Sequence, residues 1–420
     1  MLKIIRENVE LVKQNIINKN ESASVDEIIN LDVRRREIIT EVDKLKNTRN
    51  VVSKEIAQLK RNKDNADDKI QEMKKVSESI KNMDQELADI QTKIDELVLY
   101  IPNIAHESVP VGKTEEDNKE IRSWGDPATP AHAKDHMTIA KEYGLVDFER
   151  AAKVSGSGFA YYTDKGAALE RGLINYFIDF NKARGYKELF MPFIVGRNAM
   201  TDTGQLPKMA EDMYHAETDD MFLIPTAEVP ITNFHAKEMI NPDDLPIKYC
   251  GYSPCFRREA GSYGKETRGL LRVHQFNKVE LVKFCKPEDS YNELEELVEN
   301  VEAILQSLNL PYRLLLLCSG DTSFASAKTY DLEVWAPGEE KWLEVSSCSN
   351  FESFQAMRSG IRFKKDSQSK PEFVHTLNGS GLATPRIMVA LLENNLKEDG
   401  TIEIPEVLRS YCGFNNINKI

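Results

Sequence analysis

The sequence predicts an α+β protein: an N-terminal antiparallel α-helical coiled-coil arm, then a domain built on an antiparallel β-sheet with flanking helices. Two observations carry that expectation. Apolar residues recur every seven positions between residues 27 and 99, a period that sets one stripe of each helix against a partner. From residue 137 onward, short β-like segments dominate with few strand–helix–strand repeats, which argues for hairpins and against a doubly wound sheet. At 420 residues the chain exceeds one typical core, so separate domains are the default.

Hydrophobic residues make up 41% and charged residues 29%, the balance of a soluble globular protein. The net charge of −13 opposes phosphate binding, so a nucleic-acid partner would need locally concentrated basic residues. Six cysteines (Cys250, Cys255, Cys285, Cys318, Cys348 and Cys412) lack metal-binding spacing, and the seven histidines do not cluster with them. That pattern fits reduced, buried thiols in a cytoplasmic protein, and no zinc is expected. Charges at every turn of the N-terminal stretch argue against a signal peptide, and no apolar run is long enough to span a membrane.

Taken in order, Leu2, Ile5, Val9, Val12 and Ile16 predict a short amphipathic helix over residues 2–18. Ser24 with Glu27 three positions on fits a capping box for the next helix. Leu31, Ile38, Leu45, Val52 and Leu59 then form the heptad repeat, with Val42 and Ile56 on companion positions. After a polar break at 62–68, Met73, Val76, Ile80, Met83, Leu87, Ile90, Ile94 and Leu97 alternate intervals of three and four, and Pro102 ends the run. Two such helices fold as a hairpin over about 27–99 of an arm spanning 1–101, each limb reaching about 50 Å at about 1.5 Å per residue. Arg34, Arg35, Arg36, Arg49, Lys54, Lys60, Arg61 and Lys63 give the outgoing limb a basic edge able to meet a nucleic-acid backbone. Pairing with the more acidic return limb accounts for much of the same pattern.

Pro102, Pro110, Pro127 and Pro130 mark residues 102–136 as a linker. In the remaining domain, 137–420, strands are expected at 156–162, 189–195, 223–225, 248–253, 270–282, 312–317, 328–336 and 342–349. Helices are expected at 167–184, 288–308 and 384–395. The stretch 255–280 reads as a hairpin with a charged, glycine-flanked tip at Gly261, Ser262, Gly264, Lys265, Glu266, Arg268 and Gly269. Phe276 offers an aromatic face beside Arg257 and Arg268, a pairing suited to stacking a base and holding phosphates; a solvated surface hairpin is the plainer alternative. Neither GxxxxGK[ST] nor a helix-opening GxGxxG is present, so the two commonest nucleotide cradles are missing.

Several separate motifs resemble those of the class II seryl-tRNA synthetases, and the resemblance covers essentially the whole chain. Gly185-Tyr186-Lys187-Glu188 through Met191-Pro192-Phe193 is similar to the family's first motif, a helix and strand at a dimer interface. Phe256-Arg257-Arg258-Glu259 with Arg272-Val273-His274-Gln275-Phe276 resembles the second, and Gly379-Ser380-Gly381-Leu382-Ala383-Thr384-Pro385-Arg386 the third. Thr226-Ala227-Glu228 resembles the serine-binding loop. Two departures stand out. Ala383 replaces a glycine and is expected to tighten a bend slightly, and Ser410 stands where a proline is common.

The resemblance implies a class II catalytic domain that activates L-serine with ATP and passes the seryl group to tRNA(Ser). It leaves open whether tRNA(Sec) is also charged. It implies a homodimer in which one subunit's arm holds tRNA bound at the other's active site. Arg257 and Arg386 become the catalytic cations: a planar donor fork at Arg257 suits both the serine carboxylate and the α-phosphate, and Arg386 holds the γ-phosphate with help from Arg268. ATP would also touch Arg258, Glu259, Phe276, Glu344, Val345, Ser346 and Ser347. Mg2+ would arrive with ATP at Glu344 and Ser347, which point different ways unless their strand bends. Serine would be held by Thr226, Ala227, Glu228, Arg257, Glu280, Asn378 and Ser380. No histidine base is needed, and His274 is expected to be a structural member of the hairpin. A catalytically inactive tRNA-binding paralogue would have lost Arg257, Glu259, Glu280 or Arg386, and all four stand. A class II amino-acid:carrier-protein ligase would lack the arm.

Overall fold

The structure is a computed structural model describing residues 1–260 and 268–420. The tip expected at Gly261, Ser262, Gly264, Lys265 and Glu266 lies outside the described residues. The chain separates into two compact units, Met1–Pro102 and Asn103–Ile420.

The first unit consists of helices α1 (Leu2–Glu7), α2 (Val9–Asn18), α3 (Val25–Asn62) and α4 (Asp67–Val98). The single helix expected over 2–18 divides at Asn8, whose φ of −139° leaves the helical region. Ser24 holds the N-cap position of α3, but its side chain accepts no capping bond, so the capping box does not form. The Glu27 carboxylate is committed instead to Lys93 of α4 at 2.7 Å. Ile38, Val42, Ile80, Ile90 and Ile94 bury the seam between α3 and α4, with Leu31, Leu45, Val76, Met83 and Leu87 packed around them. Lys63, at a left-handed φ of 62°, ends α3, and the Asn65 side chain accepts the Asp67 N–H to open α4.

Cross-limb pairs use up part of the basic edge: Arg34 meets Glu86 at 2.9 Å and Lys46 meets Asp84 at 3.3 Å. Arg35 turns inward to Asp32 at 2.6 Å. Arg36, Lys54, Lys60, Arg61 and Lys63 remain exposed, with no ion pair among the described residues. Exposed pairs contribute at most about 1 kcal/mol each, so the apolar seam carries the hairpin.

The second unit is organised by an eight-stranded sheet. In chain order its strands are β1 (Lys119–Trp124), β2 (Lys187–Glu188), β3 (Ile247–Phe256), β4 (Gln275–Cys285), β5 (Tyr312–Leu316), β6 (Lys328–Ala336), β7 (Lys341–Glu352) and β8 (His375–Ala383). They lie in the order β1-β5-β6-β7-β8-β4-β3-β2. Every neighbouring pair is antiparallel except β2 with β3. Helices α5 (Lys165–Ala183), α6 (Ser290–Ser307) and α7 (Thr384–Asn394) pack against it. Their buried stripes, among them Leu173, Phe177, Leu297, Val301, Met388 and Leu391, join Val279, Leu281, Leu332 and Leu377 of the sheet in one core.

Some expectations need correcting. The stretch expected to be a linker contributes β1, the edge strand paired with β5. The strand expected at 189–195 is broken: residues 189–193 are irregular around Pro192, which has no N–H to give a ladder, and pairing resumes at Ile194–Gly196. Of 156–162 only Tyr161–Tyr162 is strand, because Gly156 and Gly158 take φ values of 89° and 81°. The strand expected from 270 begins at Gln275.

Ile94→Ala is expected to destabilise the arm by about 2–5 kcal/mol, the usual loss for a buried isoleucine. Hydrogen exchange should show faster opening of α3 and α4 amides while the sheet amides keep their rates. Unchanged arm protection would contradict the seam.

Candidate active site

The strand pattern of β4 starts the site. Phe276, Lys278 and Glu280 alternate onto one face, and the antiparallel register sets Glu280 opposite Gly251 on one side and Ser380 on the other. Beside them opens a cleft of about 560 Å³ lined by residues from β4, β7, β8 and the segments flanking them. Of the residues expected at the site, Thr226, Glu228, Arg257, Glu259, Phe276, Glu344, Val345, Ser347, Asn378, Ser380 and Arg386 line it together.

Five expected residues stand elsewhere. Ala227 is fully buried in a satellite apolar cluster with Ile231 and Tyr249, so it shapes the loop from behind. Ser346 faces away from the cleft, its hydroxyl donating to the Ser380 carbonyl at 2.8 Å. The Arg258 side chain is exposed, and the Arg258 N–H ties to the Asp212 carbonyl at 2.9 Å. Arg268 pairs with Glu339 at 3.1 Å and Asp135 at 3.5 Å. Glu280 is fully buried behind the wall. Its Oε2 accepts from Thr226 Oγ1 at 3.1 Å and pairs with Lys278, and its Oε1 accepts from Asn378 Nδ2 at 2.9 Å. Glu280 thus orients three lining side chains without facing the cleft itself.

Lys278 was not anticipated. It lines the cleft and donates to Thr226 Oγ1 at 2.8 Å. The clue was its place between Phe276 and Glu280 in a period of two. Glu228 shares this corner, and its carboxyl is pushed up to about 7, first by burial and then by the nearby Glu280 charge. Gln355, also unforeseen, donates to Glu228 Oε1 at 2.6 Å.

Arg257 follows the last residue of β3, and its backbone continues the hairpin through hydrogen bonds with His274. Its guanidinium lies 5.2 Å over the Phe276 ring while Nε donates to the Pro225 carbonyl at 3.3 Å. His274 is structural, its ring donating to the Arg257 carbonyl at 3.0 Å. Glu259 sits at a φ of 52° and pairs with Arg272 at 3.0 Å.

Glu344 and Ser347 answer the strand-direction question. The β6–β7 register passes from Leu332↔Ser346 to Glu333↔Glu344, leaving Val345 as the extra residue of a β-bulge. The bulge turns Glu344 onto the face of Ser347 and Ser349, and all three line the cleft. Ser347 Oγ donates to Asp331 Oδ1 at 2.6 Å, and burial together with the Glu344 charge holds the Asp331 carboxyl well above the usual range. A carboxylate and a hydroxyl turned to one face form an oxygen donor set suited to magnesium.

Arg386 arrives in the first turn of α7, after Pro385. Nη1 donates to the Glu344 carbonyl at 2.7 Å and Nε to the Leu271 carbonyl at 3.2 Å, linking β7 to the segment before β4. Ala383 has an ordinary extended φ of −86°, and the left-handed position is Leu382 at 96°. Alanine at 383 therefore needs no backbone adjustment.

His136, Glu339 and Glu393 are the one metal-like grouping among the described residues. Their atoms are already engaged. His136 Nε2 accepts the Leu270 N–H at 3.2 Å, which leaves the proton on Nδ1, 2.9 Å from Glu339. Glu393 accepts the N–H groups of His136, Gly338 and Glu339. The cluster anchors the chain leading into β4. Gly269 belongs to the same contact, since a Cβ there would lie 2.2 Å from His136 Nε2.

Comparison with known proteins places the chain in a family. The family description "Seryl-tRNA synthetase N-terminal domain" matches residues 2–105, and "tRNA synthetase class II core domain (G, H, P, S and T)" matches 211–395. A serine–tRNA ligase of Geobacillus kaustophilus is 53% identical over 419 residues, covering 99% of both chains. One of Caldicellulosiruptor saccharolyticus is also 53% identical, over 418 residues and 99% of both chains. The crystal structure of seryl-tRNA synthetase from Pyrococcus horikoshii complexed with ATP superposes with a TM-score of 0.96 at 38% identity, covering 100% of this chain and 99% of the other.

Glu228 is expected to titrate near pH 7 in the ligand-free protein, against about 4.3 for a free glutamate. Glu280→Gln should lower that midpoint by removing the neighbouring charge. Side-chain carboxyl carbon-13 NMR measures both, and an ordinary midpoint would contradict the desolvated corner.

Proposed function

The chain belongs to the seryl-tRNA synthetase family of class II aminoacyl-tRNA synthetases, and from that premise we propose how its cleft works. It is an ATP-dependent serine–tRNA ligase. The observation carrying the residue roles is the convergence of Arg257 and Arg386 with Glu228 and Glu344 in one cleft.

In the first step a serine carboxylate oxygen attacks the α-phosphorus of ATP, a C–O–P bond forms and pyrophosphate leaves. An anion approaches a polyanion, so fixed positive charge must cancel their repulsion. Arg257 takes that role by bridging carboxylate and α-phosphate, its plane held by Phe276 and the Pro225 carbonyl. Arg386 holds the far phosphate end at the positive N-terminus of α7. Phe276 and Glu259 serve the adenine, by stacking and by hydrogen bonding. Glu228 receives the serine ammonium, and Thr226, Asn378 and Ser380 wall in the hydroxymethyl group, the arrangement that rejects a side chain lacking a hydroxyl. Glu344 and Ser347 would hold a magnesium ion, which when bound supplies positive charge to the phosphates. In the second step the tRNA 3′-terminal hydroxyl attacks the seryl carbonyl and AMP leaves. The proton passes to a phosphate oxygen, so no side-chain base is required.

The exposed Arg36, Lys54, Lys60, Arg61 and Lys63 of the arm meet the tRNA(Ser) backbone. Phe190, 81% exposed, lies in the first-motif segment and Ile194, 47% exposed, directly follows it; both support a homodimer in which a second copy covers them. Six buried free cysteines suit a reducing cytoplasm. No helix among the described residues is long and apolar enough to cross a membrane.

ATP–pyrophosphate exchange assayed with each amino acid should be supported by serine, and exchange with another amino acid alone would overturn the specificity. Arg257→Ala should lower serine-dependent exchange at least about 100-fold without unfolding the chain. Reversing Lys60, Arg61 and Lys63 to glutamate should spare exchange, raise the KM for tRNA(Ser) and flatten its salt dependence. Equal loss of exchange would refute the arm's assignment. The same charging assay with tRNA(Sec) decides whether that tRNA is a second acceptor.

A further inference from the structure

Gln355 lies on the short helix Phe354–Ser359 and is 1% exposed. It does not line the cleft, yet its amide reaches three elements that do. Nε2 donates to Glu228 Oε1 at 2.6 Å and to the Thr203 carbonyl at 3.3 Å, and Oε1 accepts from Thr376 Oγ1 at 2.7 Å. A carbonyl can only accept, so the Thr203 contact fixes which end of the amide is nitrogen. Thr376 lies on β8, two residues before Asn378. Thr203 precedes Gly204, whose φ of 89° turns the chain against Phe354 and Ala325.

The bond from Gln355 is the only hydrogen bond the Glu228 carboxylate accepts among the described residues. Glu280, Lys278 and Arg257 are the charged groups facing it, and none donates to it directly. Without Gln355, Glu228 would be a dry carboxyl free to turn toward Lys278.

We propose that Gln355 is a positioning residue for amino-acid recognition, holding one Glu228 oxygen so that the other faces the cleft and takes the substrate ammonium. The proposal rests on the reading of Glu228 as the ammonium ligand. Gln355 does not line the cleft, so its effect on the ammonium passes through Glu228. Because Gln355 favours the ionised form of Glu228, its loss also raises the pH below which serine binding weakens.

Gln355→Met keeps the length and removes the amide. In pyrophosphate exchange the KM for serine should rise about 10- to 100-fold, the cost of losing a hydrogen bond to a charged group. The KM for ATP should stay near wild type, and the acidic limb of the serine KM profile should move to higher pH. Thr376→Val, which frees the amide without deleting it, should raise the serine KM about 2- to 10-fold. It carries the test should Gln355→Met fail to fold. Glu228→Gln separates the two readings. If it leaves the serine KM unchanged, the ammonium assignment of Glu228 falls. If it raises that KM while Gln355→Met and Thr376→Val do not, the role of Gln355 alone falls. Parallel rises in both KM values would mark Gln355 as structural and overturn the proposal.

Discussion

A carboxylate removed from water is costly unless its oxygens are all met by donors, and Glu280 imposes that demand on the centre of the catalytic unit. Thr226, Lys278 and Asn378 satisfy it. Each comes from a different place: the loop before the short helix at Glu228, β4 itself, and β8. The pairing therefore locks three elements into one relative position, and the lining side chains inherit that position. Glu228 stands next to this knot, and its raised pKa is the cost of placing a second carboxyl in a dry site. On the proposed reading, an incoming substrate ammonium completes that corner. The position of the proposed amino-acid pocket thus follows from how Glu280 is satisfied, although Glu280 itself is hidden.

The wall proposed to meet the phosphates is built on backbone irregularity. A regular β7 would send Glu344 and Ser347 to opposite faces, and the single extra residue Val345 reverses one of them. Arg386 then closes the corner by donating to the carbonyls of Glu344 and Leu271. A helix N-terminus, a guanidinium, a carboxylate and a hydroxyl come to one wall because of a one-residue slip. Gln355 and Asp331 stand one layer back, each fixing a side chain that lines the cleft.

Much of the fold was legible in the sequence. The heptads read as α3 and α4 because a period near 3.5 admits no other packing of two neighbouring helices. Strands β5, β6 and β7 were found within a few residues, β5 as a short apolar run and β6 by its apolar alternation. β1 was hidden because an edge strand exposed along its whole length shows no apolar alternation, so flanking prolines dominated the reading. The capping box at Ser24 failed because Lys93, distant in sequence, claimed the Glu27 carboxylate.

The site divides along the same line. The sequence by itself determined which chemical groups exist and their local spacing: Thr226 with Glu228, and Arg386 in the first turn of a helix. Those are short-range relations, and covalent geometry with strand or helix period preserves them through folding. Only the tertiary structure decided that Glu280 lies behind the wall, that Lys278 lines it, and that Glu344 and Ser347 share a face. It also decided that Arg268 turns to Glu339 and that Gln355 stands behind Glu228. Each of these depends on register, a bulge or a partner far away in the chain. No local pattern encodes them, because burial and pairing are properties of the packed sheet.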